Sequence, residues 1–207
     1  MACLLNTGRL KPCKDAVGGV RSLYFVNYDV IKDVTYDTDG ETILSINQNL
    51  PAPSVVLFRY DIRSNAELTQ NITSSKENGT TFFEQVLTVE FTGLTKEDNE
   101  EIKRMIYSTP YVFVEDFRNN IMLVGLDNGV DVTEGNSSTG KEMGDFNGYN
   151  ITLTSKETAF ANFFPDFDAW IASGIAYIGG YRNSTLFRDR VLLDGGIVES
   201  LECVVQE

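Results

Sequence analysis

The chain has 207 residues, 42% hydrophobic and 23% charged, which is ordinary globular usage and excludes disorder throughout. Thirty acids against 17 bases leave a formal charge of −13, which excludes a protein that grips nucleic acid through a basic surface. Histidine is absent, so Ser-His-Asp triads, Cys-His nucleophile pairs and His-ligated zinc are excluded as well.

Residues 1–21 read as an irregular arm. Arg9, Lys11, Lys14 and Arg21 stand against Asp15 alone, so a segment of +3 opens a chain of −13. Gly8, Pro12 and the pair Gly18-Gly19 punctuate it against helix. β-forming runs follow at 23–28, 42–46 and 55–60, with Asp37-Thr38-Asp39-Gly40 as a tight turn between the first two.

The clearest pattern comes next. Ala66, Leu68 and Ile72 share one face of a strand, and Glu67, Thr69 and Asn71 the other. From 81 to 91, Phe83, Leu87, Val89 and Phe91 oppose Glu84, Thr88 and Glu90. With Glu77-Asn78-Gly79-Thr80 between them, this alternation predicts a long antiparallel hairpin buried on one face. That burial sets the register, because a slip of one residue would expose every aromatic.

One helix is predicted after it. Thr95 can cap, Glu97 and Asp98 suit the first turn, Ile102, Met105 and Ile106 form a narrow apolar stripe, and Pro110 stops it. A stripe that narrow places the helix on the outside of a sheet with its acidic face in water. Strands resume at 111–115 and 121–124 around the turn Arg118-Asn119-Asn120, and a last one runs from 149 to 155. The polar, Gly-rich stretch 127–148 before it is expected to be a long mobile loop. Composition then shifts to Phe160, Phe163, Phe164, Phe167 and Trp170, and two short helices are expected at 184–193 and 197–205. The organisation that results is a basic arm over 1–21, a β domain over 22–160 and a C-terminal extension over 161–207.

Few motifs suggest chemistry. Gly135 to Lys141 matches G-x-x-x-x-G-K, but Glu142 stands where a phosphate-binding loop needs Ser or Thr, and 143–148 is a poor helix start. Asp37, Asp39 and Glu41, or Asp127, Asp131 and Glu134, could offer oxygens to calcium, yet neither group has the EF-hand spacing, and Asp-Gly is what a turn needs. Cys3, Cys13 and Cys203 form no C-x-x-C pair and suit a reducing compartment. Residues 1–20 lack the apolar run of a signal peptide, and the chain is expected to stay in the cytosol without a membrane contact. Five N-x-[ST] triplets, at Asn71, Asn78, Asn136, Asn150 and Asn183, fit an Asn- and Thr-rich composition better than glycan sites. The residues thus describe an acidic, β-rich chain with no visible catalytic apparatus or cofactor site. A basic arm, a long loop and an aromatic cluster supply candidate contact surfaces. Lys11, Lys14, Arg21, Phe83, Glu142, Met143, Phe163 and Trp170 are the candidate subunit-interface residues.

Several segments resemble a known family. The opening Met1-Ala-Cys3-Leu-Leu-Asn-Thr-Gly8 with Cys13-Lys-Asp-Ala-Val-Gly-Gly19, Glu77-Asn-Gly-Thr80, Gly125-Leu-Asp-Asn-Gly129, Gly140-Lys-Glu-Met-Gly-Asp145 and Asn147-Gly-Tyr-Asn-Ile-Thr152 are similar to Bacteroidetes, crAss-like phage virion proteins of the tail-tube or tail-ring kind. The resemblance spans roughly 1–158; Phe187 to Glu199 resembles a segment shared by several kinds of such phage protein. It implies a β-rich α+β fold: an antiparallel β-barrel or sandwich with one flanking helix, plus the C-terminal extension. It also implies a non-enzymatic virion subunit that forms a ring in the tail, on the order of six or twelve copies, around the DNA path. Its partners would be its own copies and neighbouring ring, connector or tail proteins, with genomic DNA passing unbound. The other reading of the residues is a β-sandwich module that binds glycans or a host surface.

Overall fold

The computed structural model describes residues 8, 17–49, 55–62, 65–173, 175–179 and 191–192. In chain order the elements are β1 (Val20–Val26), β2 (Ile31–Tyr36), β3 (Ile43–Gln48), β4 (Val56–Asp61), β5 (Ala66–Ser75), β6 (Thr80–Thr92), α1 (Lys96–Tyr107), β7 (Tyr111–Asp116), β8 (Ile121–Val124), β9 (Asp131–Ser138), β10 (Gly148–Glu157), β11 (Asn162–Phe163), α2 (Phe167–Ala172), β12 (Ala176–Gly179) and β13 (Val191–Leu192). They form a seven-stranded sheet ordered β11-β8-β7-β1-β4-β12-β13, a four-stranded sheet ordered β5-β6-β10-β9, and the ribbon β2-β3. Every pairing is antiparallel except β4 with β12. The fold is a β-rich sandwich with a flanking helix, as expected; no sheet closes into a barrel among the described residues.

The sandwich has two cores, one on each face of the large sheet. Tyr24, Val26, Leu57 and Phe113 pack against the β2-β3 ribbon (Ile31, Ile43, Ile46) and against Phe164, Phe167 and Trp170. On the opposite face Leu23, Phe25, Val112 and Val114 meet Leu87, Val89, Ile151 and Leu153 of the four-stranded sheet and Met105 of α1. This explains the unbroken apolar runs of β1 and β7: strands covered on both sides cannot alternate. Each large side chain buried there stabilises the fold by roughly 1.5–3 kcal/mol.

The hairpin β5-β6 has the expected register, with Leu68 opposite Leu87 and Ile72 opposite Phe83. Helix α1 starts where the sequence places it, with Thr95 Oγ1 accepting from the Asp98 amide at 3.0 Å. Ile106 departs from the apolar stripe and is half-exposed.

Three expectations change. The stretch 127–148 is not a continuous loop, because 131–138 is strand β9, laddered to β10. A short turn at 126–128 precedes it, and in the connection after it the Asp145 carboxylate accepts the Lys141 and Glu142 amides, both at 2.8 Å. Second, the packed body runs past residue 160. Ala161, Phe164, Phe167, Trp170 and Ile175 lie in the two cores, and β12 extends the large sheet. Third, of the helix expected over 184–193, the described part, Val191–Leu192, is strand paired to β12. The remainder, and the helix expected at 197–205, lie outside the described residues.

Candidate assembly surface

The four-stranded sheet buries one face and offers the other to solvent. Gln85, Leu87 and Val89 of β6 and Ile151, Leu153 and Ser155 of β10 point inward. The intervening residues therefore share the outer face: Glu67, Thr69, Asn71 and Thr73 of β5, Glu84, Val86, Thr88 and Glu90 of β6, Asn150, Thr152, Thr154 and Lys156 of β10. Asp131, Glu134 and Asn136 of β9 complete it. Five acids (67, 84, 90, 131, 134) against Lys156 give this face −4. Lys156 stands opposite Glu84 in the ladder, and its ammonium lies 5.7 Å from the centre of the Phe82 ring.

Among the described residues no strand pairs with either outer strand of this sheet. β5 is 10 residues long, contains no proline and pairs with β6 without a register shift. β9 has 8 residues and one bulge, at Thr133, beyond which 134–138 runs regularly. By contrast the outer strands β11 and β13 of the large sheet have two residues each. A long unguarded edge is a ready template for another strand. Four antiparallel strands make β5 and β9 run in opposite directions, so joining β9 of one copy to β5 of the next continues the antiparallel alternation. Beside this edge lies apolar surface: Ile72 is 59% exposed, and half-buried Phe83 sits 4.5 Å from the ring of exposed Phe160.

The candidate interface residues fall in different places. Lys11 and Lys14 lie outside the described residues. Arg21 is engaged within its own chain, donating to Glu115 at 3.2 Å and to Asn119 at 2.5 Å. Phe83 belongs to the apolar patch, half-exposed Phe163 is in β11, and Glu142 and Met143 are exposed on the β9-β10 turn. Trp170 is a correction: at 7% exposure it is packed against Phe113, Phe164 and Phe167, with ring centres 5.4–6.0 Å away. The aromatic cluster is chiefly core because the large sheet needs a second cover on that face.

Neither chemical motif forms a site. Gly135 sits inside β9 opposite Ile151, and the amide of Lys141 is given to Asp145, so the phosphate-loop spacing falls on a strand and a turn. The Asp39 carboxylate accepts from the amides of Glu41 and Thr42 and from the Thr42 hydroxyl, bonds that hold it below its ordinary pKa. Among the described residues no three Cys, Asp or Glu side chains could share a metal ion, and no helix there is long and apolar enough to cross a membrane.

Sequence reasoning missed a polar knot between the sheets. Gln85 accepts from the Gly125 amide at 3.1 Å and donates to the Ala159 carbonyl at 3.2 Å. Glu157, 5% exposed, accepts from the amides of Asp127 and Asn128 at 2.9 and 3.2 Å and from the Ser155 hydroxyl at 2.5 Å. Both line a cleft of about 200 Å³ rimmed by Tyr36, Phe160, Asp127 and Asn162. Burial, then Asp127 and Asp33, raise the pKa of Tyr36. Comparison of the chain with family models, curated proteins and solved structures finds no match.

Proposed function

We propose that this chain is a virion structural subunit that closes, edge to edge, into a ring of a phage tail around the path of the DNA. The observation that carries this reading is the pair of oppositely directed edges, β5 and β9, on one four-stranded sheet, both without a strand partner among the described residues. A head-to-tail contact of this kind generates a closed ring when its rotation closes. The rest of each subunit packs on the sheet's apolar face, and bulk crowds on the inside of a circle, so the free face turns inward. That face carries −4 and many threonines, and it repels passing phosphates over a range of about 8–10 Å set by salt.

Hydrogen exchange of the assembled and the isolated chain tests this reading. Amides of 66–75 and 134–138 gain protection on assembly while those of the β2-β3 ribbon do not; equal exchange in both forms at these two edges rejects it.

The cleft beside Tyr36 and Phe160 favours a second reading, a recognition module for a sugar. Its two aromatic rings offer apolar faces, and Asp127 offers an acceptor for hydroxyls. Binding of a glycan array by the monomeric chain, lost in Tyr36→Ala, distinguishes it from the ring.

A further inference from the structure

We propose that Asn78 is a site of covalent self-modification, its side-chain amide converting to aspartate and isoaspartate through attack by the Gly79 backbone nitrogen. In this reaction the Gly79 N–Cγ bond forms, the Cγ–Nδ2 bond of Asn78 breaks, and ammonia leaves with the proton that the nitrogen gives up. Water then opens the five-membered imide at either carbonyl. The step needs an Asn side chain that is free to turn onto the next amide and a following residue that allows the approach. Glycine does so best because it lacks a Cβ.

The chain has three Asn-Gly pairs, at 78–79, 128–129 and 147–148, and the fold holds two of them. Asn128 donates its side-chain amide to the Lys156 carbonyl at 2.6 Å, and the Gly129 N–H is spent on the Gly125 carbonyl at 2.9 Å. Gly148 is buried in β10 and paired on both sides, with Thr92 and with Ser138. It lies so close to the Phe91 carbonyl that a Cβ would not fit. The Asp39-Gly40 pair, which can close the same ring by losing water, is held as well. Its carboxylate carries three hydrogen bonds, and the Gly40 amide donates to Asp37.

Asn78-Gly79 differs on each count. Both residues are exposed on the β5-β6 turn, and nothing lies within 4 Å of a Cβ built on Gly79. Among the described residues neither the Asn78 side chain nor the Gly79 N–H has a hydrogen bond; only the Asn78 backbone amide does, to Ser75 Oγ at 3.3 Å. The product places a new negative charge beside Glu77. Its isoaspartate form adds one carbon to the main chain of a turn in which Gly79 has φ +64°. The proposal stands whether or not the chain forms a ring.

Tryptic mapping by mass spectrometry tests it directly, because cleavage at Lys76, Lys96, Arg118, Lys141 and Lys156 puts each Asn-Gly pair in its own peptide: 77–96, 119–141 and 142–156. The folded full chain, aged in mildly alkaline buffer, is compared with the chain aged in urea and with Asn78→Gln. The expected result is progressive conversion of 77–96 in the folded chain, split into aspartate and isoaspartate forms, with the other two peptides unchanged. In urea all three convert, and Asn78→Gln abolishes the change in 77–96. The proposal is overturned if 77–96 stays intact in the folded chain, or if the three peptides convert there at equal rates.

Discussion

Gln85 in β6 and Gly125 at the end of β8 are joined by a buried 3.1 Å hydrogen bond that crosses from one sheet of the sandwich to the other. Gln85 is 2% exposed and sits in the row of Leu87 and Val89, where an apolar residue would satisfy the alternation. Its amide is required because Gly125 N–H and Ala159 C=O lie outside the strand ladders and still need partners. Gln85→Leu keeps the approximate volume and strands both groups, so it is expected to lower stability by about 2–4 kcal/mol. A urea titration checks this as a shift of the midpoint at unchanged slope.

Trp170 separates core from contact surface. Packed against three phenylalanines, it is expected on truncation to alanine to cost about 3–5 kcal/mol, the range for large aromatics lost from a core. Thermal unfolding of the monomeric chain measures it. A residue reserved for a subunit contact would leave the monomer's midpoint where it was.

The β9-β10 turn has a pH dependence of known sign. The amides of Glu142 and Lys141 hold the Asp145 carboxylate below its ordinary pKa of 3.8. A carboxylate with a depressed folded pKa contributes fully above the unfolded value and loses its contribution as pH falls through the folded one. Amide exchange of 141 and 142, corrected for its intrinsic pH dependence, is therefore expected to stay slow above the ordinary carboxylate value and to quicken as pH falls from there through the folded one. In Asp145→Asn this acid-linked loss disappears.

Glu84 and Glu90 test the proposed acidic channel wall. Both lie on the outer face of β6, Glu84 half-buried and Glu90 exposed. Reversal of both to lysine moves the face from −4 to 0. It is expected to leave folding and assembly intact and to slow passage of DNA, measured as ejection from virions carrying the variant; unchanged ejection shows that these side chains do not line the path.

The hairpin β5-β6 was legible in the sequence because one face is buried and the other wet, so its alternation is written in residue types. β2 and β9 were not. Their patterns leave only Ile31 fully buried, and they are held by ladders to β3 and β10, so their own side chains carry almost no signal. The two edges of the four-stranded sheet were half visible for the same reason: β5 showed itself, while β9 looked like a Gly- and Ser-rich loop. Gln85 and Glu157 could not be assigned from sequence, since their partners are main-chain groups brought in from Gly125, Asp127, Asn128 and Ala159. Trp170 was legible as part of an aromatic cluster, but the sequence left core and subunit interface open, because the face it covers is built from residues such as Leu123, Phe113, Leu57 and Tyr24, far away in sequence.

The edge-to-edge ring stands or falls on the mass of the assembled chain. Light scattering coupled to size exclusion is to be run on the wild type and on Ile72→Lys, which places a charge on exposed apolar surface beside the open edge and should fold normally. The expected result is a closed ring on the order of six or twelve copies for the wild type and a folded monomer for the variant. A wild-type chain that remains monomeric at all concentrations, or a variant that assembles as well as the wild type, would contradict it.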